Sequence, residues 1–181
     1  PLSYYASVCS SLDDLRPAVF YQMLRAEPLA VRVAEEVVWP AVPRGVVARE
    51  AIRDCVLRYL PDIKPSSLKK TLRSILNTYA LLGVATEQNG ALHLSIHPGT
   101  TEGFLYVLTA EFAEAGMYEF GDLDAGPMRR WLLWDQDWMH RQLYLLRERG
   151  IVSKVSEIDS MRQFTLSYGQ REALLRYFGS P

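Results

Sequence analysis

The sequence predicts a mainly helical α+β chain, because one order of helices followed by a hairpin occurs twice. In each copy, apolar residues first recur at helical spacing and then alternate, which indicates a change from helix to paired strands. The first hairpin is expected over residues 84–94. Its Asn89-Gly90 pair favours a type I′ turn, which needs positive φ at both positions. The second hairpin is expected from strands at 151–156 and 162–167.

The elements before the first hairpin follow from proline positions and apolar spacing. Residues 1–27 predict an N-terminal helical segment, with Pro17 in the first turn of a helix. A second helix is expected over 29–39 and should stop before Pro40, because proline lacks the amide hydrogen that a helix interior needs. A short strand at 44–47 and a helix at 49–60 follow. The next helix is expected from Pro65 to about residue 82, with Gly83 as its C-terminal cap.

The second copy begins after a Pro-Gly-Thr-Thr stretch. Thr100 or Thr101 is expected to cap a helix that continues to about residue 114. Gly116, Gly121 and Gly126 indicate loop and turn between that helix and the next. Helices at 126–134 and 137–149 then precede the second hairpin, and a last helix is expected over 170–178.

This order of elements resembles the winged helix-turn-helix superfamily across residues 28–97 and 101–178. The resemblance implies a fold that is mainly α with small β wings: two winged helix-turn-helix units in tandem with an N-terminal helical lead. The lead covers 1–27, the first winged-helix domain 28–98 and the second 99–181. Such a scaffold commonly presents its third helix to a nucleic acid groove, although a fold by itself does not determine function.

The chain has 181 residues and a net charge of −1, so its overall charge does not indicate nucleic-acid binding. The local distribution is uneven. Lys64, Lys69, Lys70 and Arg73 occur with no acid among them, whereas residues 97–127 contain six acids and no Lys or Arg. Local asymmetry of this kind can orient a polyanion even near zero net charge.

Cys9 and Cys55 lack CxxC spacing, which argues against a disulfide framework and favours a reducing cytoplasmic location. No apolar run is long enough for a membrane span, and the first residues lack the order of a signal peptide. The three histidines are too scattered to form a zinc site with the cysteines. Motifs for a catalytic nucleophile or a phosphate-binding loop are also absent. We therefore expect no enzyme activity, no metal and no cofactor.

The helix that begins after Lys64 is the main candidate for contact with DNA. With Leu68, Leu72 and Ile75 inward, its outward face combines small hydroxyls with cations, which suits phosphate oxygens. Arg and Asn side chains can also contact base edges. The simpler alternative is an ordinary solvated face. The residues assigned to DNA contact here are Lys64, Ser66, Ser67, Lys69, Lys70, Arg73 and Asn77.

The corresponding helix of the second copy is expected to turn Met139, Leu143 and Leu146 inward. Its outward residues would then be His140, Arg141, Tyr144 and Arg147, to which Arg129 and Arg130 of the preceding helix and Lys154 and Arg162 of the hairpin add positive charge. Nearby acids dilute this charge, and Tyr144 suits a protein interface equally well. The first hairpin carries an acid and no cation at its tip, which argues against its insertion into DNA.

The tryptophans are predicted to anchor the core, because large aromatic side chains dominate burial in small domains. Three of the four, Trp131, Trp134 and Trp138, lie within eight residues. Their spacing would place them on one face only of an unbroken helix, and the intervening aspartates argue against such a helix.

A narrower likeness involves residues 29–60 and 66–84, where a Ser-Ser-Leu-Lys helix leads to a Leu-Leu end before a hairpin. This stretch resembles the BrxA-type small proteins of BREX phage-defence systems. The resemblance implies a non-enzymatic, DNA-binding accessory protein; a transcriptional regulator is a related interpretation. The alternative is a protein–protein scaffold subunit built from tandem winged helices. The basic run at 64–73 favours duplex DNA as the partner, whereas the acidic segment at 102–124 favours a protein partner.

Overall fold

The computed structural model describes residues 1–158 and 161–179. Its first part is helical. It comprises α1 (Leu2–Val8), α2 (Leu12–Ala26), α3 (Pro28–Val33), a π-helical segment (Ala34–Val38), α4 (Trp39–Ala41) and a 3-10 turn (Val42–Arg44). Strand β1 (Val46–Val47) precedes helices α5 (Arg49–Tyr59) and α6 (Pro65–Leu81), and strands β2 (Thr86–Gln88) and β3 (Ala91–His93) follow.

The second part repeats this order with longer strands. It comprises α7 (Thr101–Glu111), β4 (Gly116–Glu119), α8 (Phe120–Ala125), α9 (Pro127–Leu132), α10 (Gln136–Glu148), β5 (Val152–Ile158), β6 (Met161–Leu166) and α11 (Gln170–Gly179). The prediction of a mainly helical chain with small antiparallel sheets is confirmed. The predicted tip of the second hairpin at residues 159–160 and the last two residues of the chain lie outside the described residues.

Each half contains a three-stranded antiparallel sheet with the hairpin's second strand in the centre: the strand orders are β1-β3-β2 and β4-β6-β5. In the first sheet Val47 lies opposite Leu92, and Glu87 also lies opposite Leu92. The turn residues Asn89 and Gly90 have φ angles of 52° and 78°. These positive values confirm the conformation expected of the Asn-Gly pair.

The chain forms two compact units that do not follow sequence order. The α5–α6 unit contains Val19–His97 and Arg130–Leu133. The α7–α10 unit contains Pro1–Ala18, Pro98–Arg129 and the residues from Trp134 onward. The start of the N-terminal lead thus packs with the second half of the chain: the Tyr5 ring lies 4.7 Å from the Tyr106 ring.

The core of the α5–α6 unit contains the buried residues Phe20 of α2, Ile52 of α5 and Leu72 and Leu76 of α6. In the α7–α10 unit, helix α7 is buried along most of its length, as expected for a helix that is apolar on every side. Trp134 and Trp138 pack around Phe104, at 6.0 and 5.6 Å between ring centroids. The prediction that the clustered tryptophans anchor the core is therefore confirmed, and Trp131 is also buried.

Pro40 does not end the helix, contrary to the sequence prediction, because α4 extends through it to Ala41. The preceding five residues are π-helical, and the amide of Trp39 donates to the carbonyl of Ala34, five residues back. A proline inside a regular helix disrupts the i→i−4 pattern of hydrogen bonds. In the π-helical segment the hydrogen bonds join residues five positions apart instead of four. The missing amide hydrogen of Pro40 therefore lies where the regular α-helical hydrogen bonds are already interrupted.

The stretch predicted as loop between α7 and α9 instead holds β4 and α8. Strand β4 has only four residues, and its partner β6 lies more than forty residues away, with Tyr118 opposite Phe164. Local sequence preference cannot specify a strand this short. Its hydrogen bonds depend on a partner that reaches it only in the folded chain.

A glycine-to-alanine comparison tests the hairpin turn. Gly90 has φ of 78°, and no heavy atom lies within 4 Å of the position that a Cβ would take, so alanine would meet only backbone strain there. We expect Gly90→Ala to lower the free energy of unfolding by about 1–2 kcal/mol, the cost of a left-handed conformation for an L-residue. Chemical denaturation of the purified protein measures this difference.

Gly121 is the matched control, because it also has open space but lies in helix α8 without a positive φ. Gly121→Ala should leave stability unchanged or raise it by up to about 1 kcal/mol, since alanine favours helix. Equal effects of the two substitutions would contradict a special conformation at Gly90.

No helix among the described residues has the length and apolar character that crossing a bilayer requires.

Candidate nucleic-acid interface

Helix α6 begins where its sequence favours a helix start. Lys64 is the N-cap residue, and Pro65 occupies the first helical position, where its missing amide hydrogen has no cost. Leu72, Leu76 and Tyr79 bury one side of the helix. Tyr79 packs edge-on against Phe20, with ring centroids 5.1 Å apart. These contacts fix which side of α6 faces solvent.

All seven residues assigned to DNA contact in this part of the chain are exposed. We call this set the basic face of α6; it comprises Lys64, Ser66, Ser67, Lys69, Lys70, Arg73 and Asn77. Ser66, Lys70, Arg73 and Asn77 follow one another at spacings of three and four residues, so they form one stripe. At 1.5 Å per residue the stripe is about 16 Å long.

The cations of this face have no acidic neighbours on their own helix, because α6 contains no Asp or Glu. Within residues 1–158 and 161–179, no ion pair involves Lys64, Lys69, Lys70 or Arg73. Their positive charge is therefore available to attract counterions from solution. A polyanion that displaced those ions would gain the entropy of their release.

The hairpin that follows α6 is not basic. Glu87 lies near its tip, and the carboxylate accepts a hydrogen bond from the amide of Gly90 at 2.9 Å. This bond holds the acid at the turn, where it would repel a phosphate. The geometry agrees with the sequence-based argument against insertion of this hairpin into DNA.

Helix α10, the corresponding helix of the α7–α10 unit, is capped by Asp135, whose carboxylate accepts from the amide of Trp138 at 2.7 Å. Met139, Leu143 and Leu146 are buried as predicted. His140 is buried as well, at 8% exposure, so its predicted outward position is wrong. The reason is helix α8, which was expected to be loop: its Phe120 ring lies 4.8 Å from the imidazole.

His140 belongs to a cluster of polar side chains that links three parts of this unit. We call it the His140 network; it comprises Asp124 of α8, Gln136, His140 and Tyr144 of α10, Glu157 of β5 and Arg162 of β6. The imidazole Nε2 lies 2.6 Å from Oδ1 of Asp124, whose Oδ2 accepts from Gln136 at 2.8 Å. Nη2 of Arg162 lies 3.3 Å from Nδ1 of His140.

The other end of the network joins the hairpin to α10. Arg162 donates to Oε2 of Glu157 through Nε at 3.1 Å and Nη2 at 2.8 Å. Tyr144 donates to Oε1 of the same carboxylate at 2.7 Å. The Tyr144 hydroxyl and, after it, Arg162 lower the pKa of Glu157, and this carboxylate raises the pKa of Tyr144. Three predicted DNA contacts, His140, Tyr144 and Arg162, are thus bound to protein partners.

The remaining predicted contacts of the second copy differ in exposure. Arg129 is half-buried and donates to the carbonyl of Asp124 at 3.2 Å. Arg130, which belongs to the α5–α6 unit, is half-buried and lies 3.4 Å from Glu35. Arg141, Arg147 and Lys154 are exposed. These positive charges are scattered, and they do not form a stripe comparable to the basic face of α6.

Asp124, Gln136 and Glu157 were missed by sequence reasoning. The sequence did contain one indication of Glu157. Pairing the two strands of the second hairpin places Glu157 directly opposite Arg162, and opposite charges across strands attract. Nothing comparable indicated Asp124, because its helix was not predicted. No cluster of three or more His, Cys, Asp or Glu side chains suited to a metal ion occurs in the described part of the chain.

Comparison with known proteins yields a likeness of fold alone. No family model matches the chain, and no curated protein matches it. Two solved structures, SspB and magnesium ion-bound SspB, superpose with TM-scores of 0.60 and 0.58. Sequence identity is 11% and 12%, and each match covers 75% of this chain but 50% or 51% of the SspB chain. About three quarters of this chain therefore shares the fold of about half of SspB.

Proposed function

We propose that this protein is a non-catalytic DNA-binding protein made of two tandem winged helix-turn-helix units, and that it contacts duplex DNA through the basic face of α6. The first unit is supported by its order of elements, which is a helix followed by β1, α5, α6, β2 and β3, and by the central place of β3 in its sheet. The order α7, β4, α8–α9, α10, β5 and β6 supports the second. In this scaffold the third helix, here α6 or α10, is the one that enters a major groove.

One observation carries the assignment to DNA: α6 presents a run of exposed cations without acidic partners. Lys64, Lys69 and Lys70 suit phosphate oxygens as point charges, and Ser66 and Ser67 can donate to the same oxygens. Arg73 and Asn77 lie on the same stripe, and their planar side chains can contact guanine and adenine edges. Binding would then be dominated by phosphates, with a smaller contribution from bases.

The cellular role follows as part of the proposal. A small DNA-binding protein with no chemistry of its own fits an accessory component of a phage-defence system of the BREX type, or a transcriptional regulator, in the cytoplasm. The resemblance of residues 66–84 to BrxA-type proteins supports the first of these roles.

A scaffold subunit is the second candidate, and a different surface favours it. Met117 on the edge strand β4 is 65% exposed, and the acids Glu114, Glu119 and Asp122 near it in sequence are exposed too. An apolar side chain among acids suits a basic protein surface better than it suits DNA.

Titration of random duplex DNA at two salt concentrations distinguishes the two candidates. Four phosphate contacts predict that affinity falls roughly 100-fold between about 50 mM and about 200 mM salt. Fluorescence anisotropy of a labelled duplex measures this change. Folded protein that fails to bind duplex DNA at the lower salt concentration would contradict the DNA assignment and favour the scaffold.

A further inference from the structure

The two ring nitrogens of His140 face partners of opposite character, a carboxylate at Nε2 and a guanidinium at Nδ1. A guanidinium nitrogen can only donate, so the 3.3 Å approach of Nη2 of Arg162 to Nδ1 of His140 is a hydrogen bond only when Nδ1 carries a lone pair. In that tautomer Nε2 carries the ring proton and donates it to Oδ1 of Asp124, 2.6 Å away. With both hydrogen bonds made, the imidazole is neutral and bridges α8 on one side and strand β6 on the other.

We propose that His140 is a proton-sensitive link between helix α10 and the β5–β6 hairpin, and that protonation of its Nδ1 breaks the contact to Arg162 while keeping the contact to Asp124. The hairpin is then joined to α10 by fewer polar contacts when the ring is charged than when it is neutral. This inference concerns the α7–α10 unit and does not depend on DNA binding.

The charged groups that face the imidazole decide what protonation does. Asp124 of α8 attracts an imidazolium, and its hydrogen bond to Nε2 persists after protonation. Arg162 of β6 repels it, and the new Nδ1–H would point at a group that can only donate. Glu157 of β5 attracts it, but this carboxylate already accepts from Arg162 and Tyr144. Protonation therefore favours the Asp124 side of the ring and disfavours the Arg162 side.

The remaining neighbours restrict how the ring can respond. The Phe120 ring lies 4.8 Å from the imidazole, and the Arg162 guanidinium lies 4.8 Å from the same Phe120 ring. Gln136 of α10 and Arg129 of α9 hold Asp124 in place through its Oδ2 and its carbonyl. The imidazole is thus fixed on its Asp124 side, and Arg162 is the partner that can move. Arg162 keeps Glu157 as a partner when it does.

An NMR titration of the intact protein between pH 5 and pH 8 tests the proposal, because imidazoles ordinarily change charge in this range. We expect the Nε–H resonance of Arg162 and the amides of Gln163 and Phe164 to shift with the same midpoint as the His140 ring. Hydrogen-exchange protection of these amides should fall about fivefold on protonation, the factor that corresponds to one typical net hydrogen bond. An unchanged Arg162 resonance through the His140 titration would overturn the proposal, as would a ring that stays neutral down to pH 5.

His140→Gln is the informative variant, since a carboxamide can donate to Asp124 and accept from Arg162 without titrating. It should keep the hairpin protected and abolish the pH dependence at Arg162. His93→Gln is the control, because His93 is exposed on β3 of the α5–α6 unit; this variant should keep the wild-type pH dependence. If Arg162 in a folded His140→Gln protein still followed pH as in the wild type, another group would be responsible and the proposal would fail.

Discussion

A protein carrying Lys69→Glu, Lys70→Glu and Arg73→Glu is expected to lose binding to duplex DNA while keeping its fold. The three side chains are exposed and lie outside the buried side of α6 formed by Leu72 and Leu76. Each removed phosphate contact should also flatten the log–log salt dependence by about one unit. Anisotropy titrations at several salt concentrations, with circular dichroism as the check on folding, give both quantities.

Arg141→Glu with Arg147→Glu provides a corresponding charge reversal on α10, at two positions instead of three. Both arginines are exposed, but Arg141 lies 4.0 Å from Asp135 and Arg147 stacks over Tyr144. We expect a milder loss of affinity from this variant. Wild-type binding by the folded α6 variant would refute the assignment to α6. Equal loss in both variants would instead indicate that both units contact one continuous stretch of DNA.

Phe164→Ala is expected to cause the largest loss of stability of any substitution proposed for the α7–α10 unit. Phe164 on β6 is fully buried, and its ring lies 5.4 Å from Phe112, 5.8 Å from Tyr118 and 6.0 Å from Phe120. Removing a buried aromatic ring typically costs about 3–5 kcal/mol, because apolar contacts are lost and a cavity remains. That is a large fraction of the stability of an ordinary domain.

Chemical denaturation monitored by circular dichroism measures this loss. Phe164→Leu serves as the control, since leucine refills much of the volume and should cost less than half as much. If Phe164→Ala lowered the free energy of unfolding by less than about 1 kcal/mol, the ring cluster would contribute little to stability. That result would contradict the expectation, which rests on the usual cost of emptying a core position. Thr165, the next residue, faces the opposite side of the sheet and is half-buried, so Thr165→Ala should have a small effect.

The first half of the chain illustrates what local sequence can predict. Pro65 and the leucine spacing of α6 determine both where this helix starts and which side it exposes, and Asn89-Gly90 specifies its hairpin turn. These features depend on residues within one or two helical turns of each other. For that reason the basic face of α6 could be predicted from the sequence alone, and every one of its residues is exposed.

The second half shows where local reasoning fails. Gly116 and Gly121 indicated a loop, but β4 and α8 form there because β6 and α10 supply their partners. His140 is buried as a result, because α8 covers the side of α10 that the apolar pattern predicts to face solvent. Three residues assigned to a DNA surface, His140, Tyr144 and Arg162, take part in the His140 network.

The sequence by itself determined the class of the fold, the turn at Asn89-Gly90 and the exposed cations from Lys64 to Arg73, because each depends on neighbours a few residues away. Only the tertiary structure decided that the first eighteen residues pack with the second half, that Pro40 lies within a helix, and that His140 joins Asp124 to Arg162. The first and the last of these outcomes depend on contacts between segments distant in sequence, and the place of Pro40 depends on the π-helical segment before it. The periodic pattern of apolar residues within a single segment does not indicate these features.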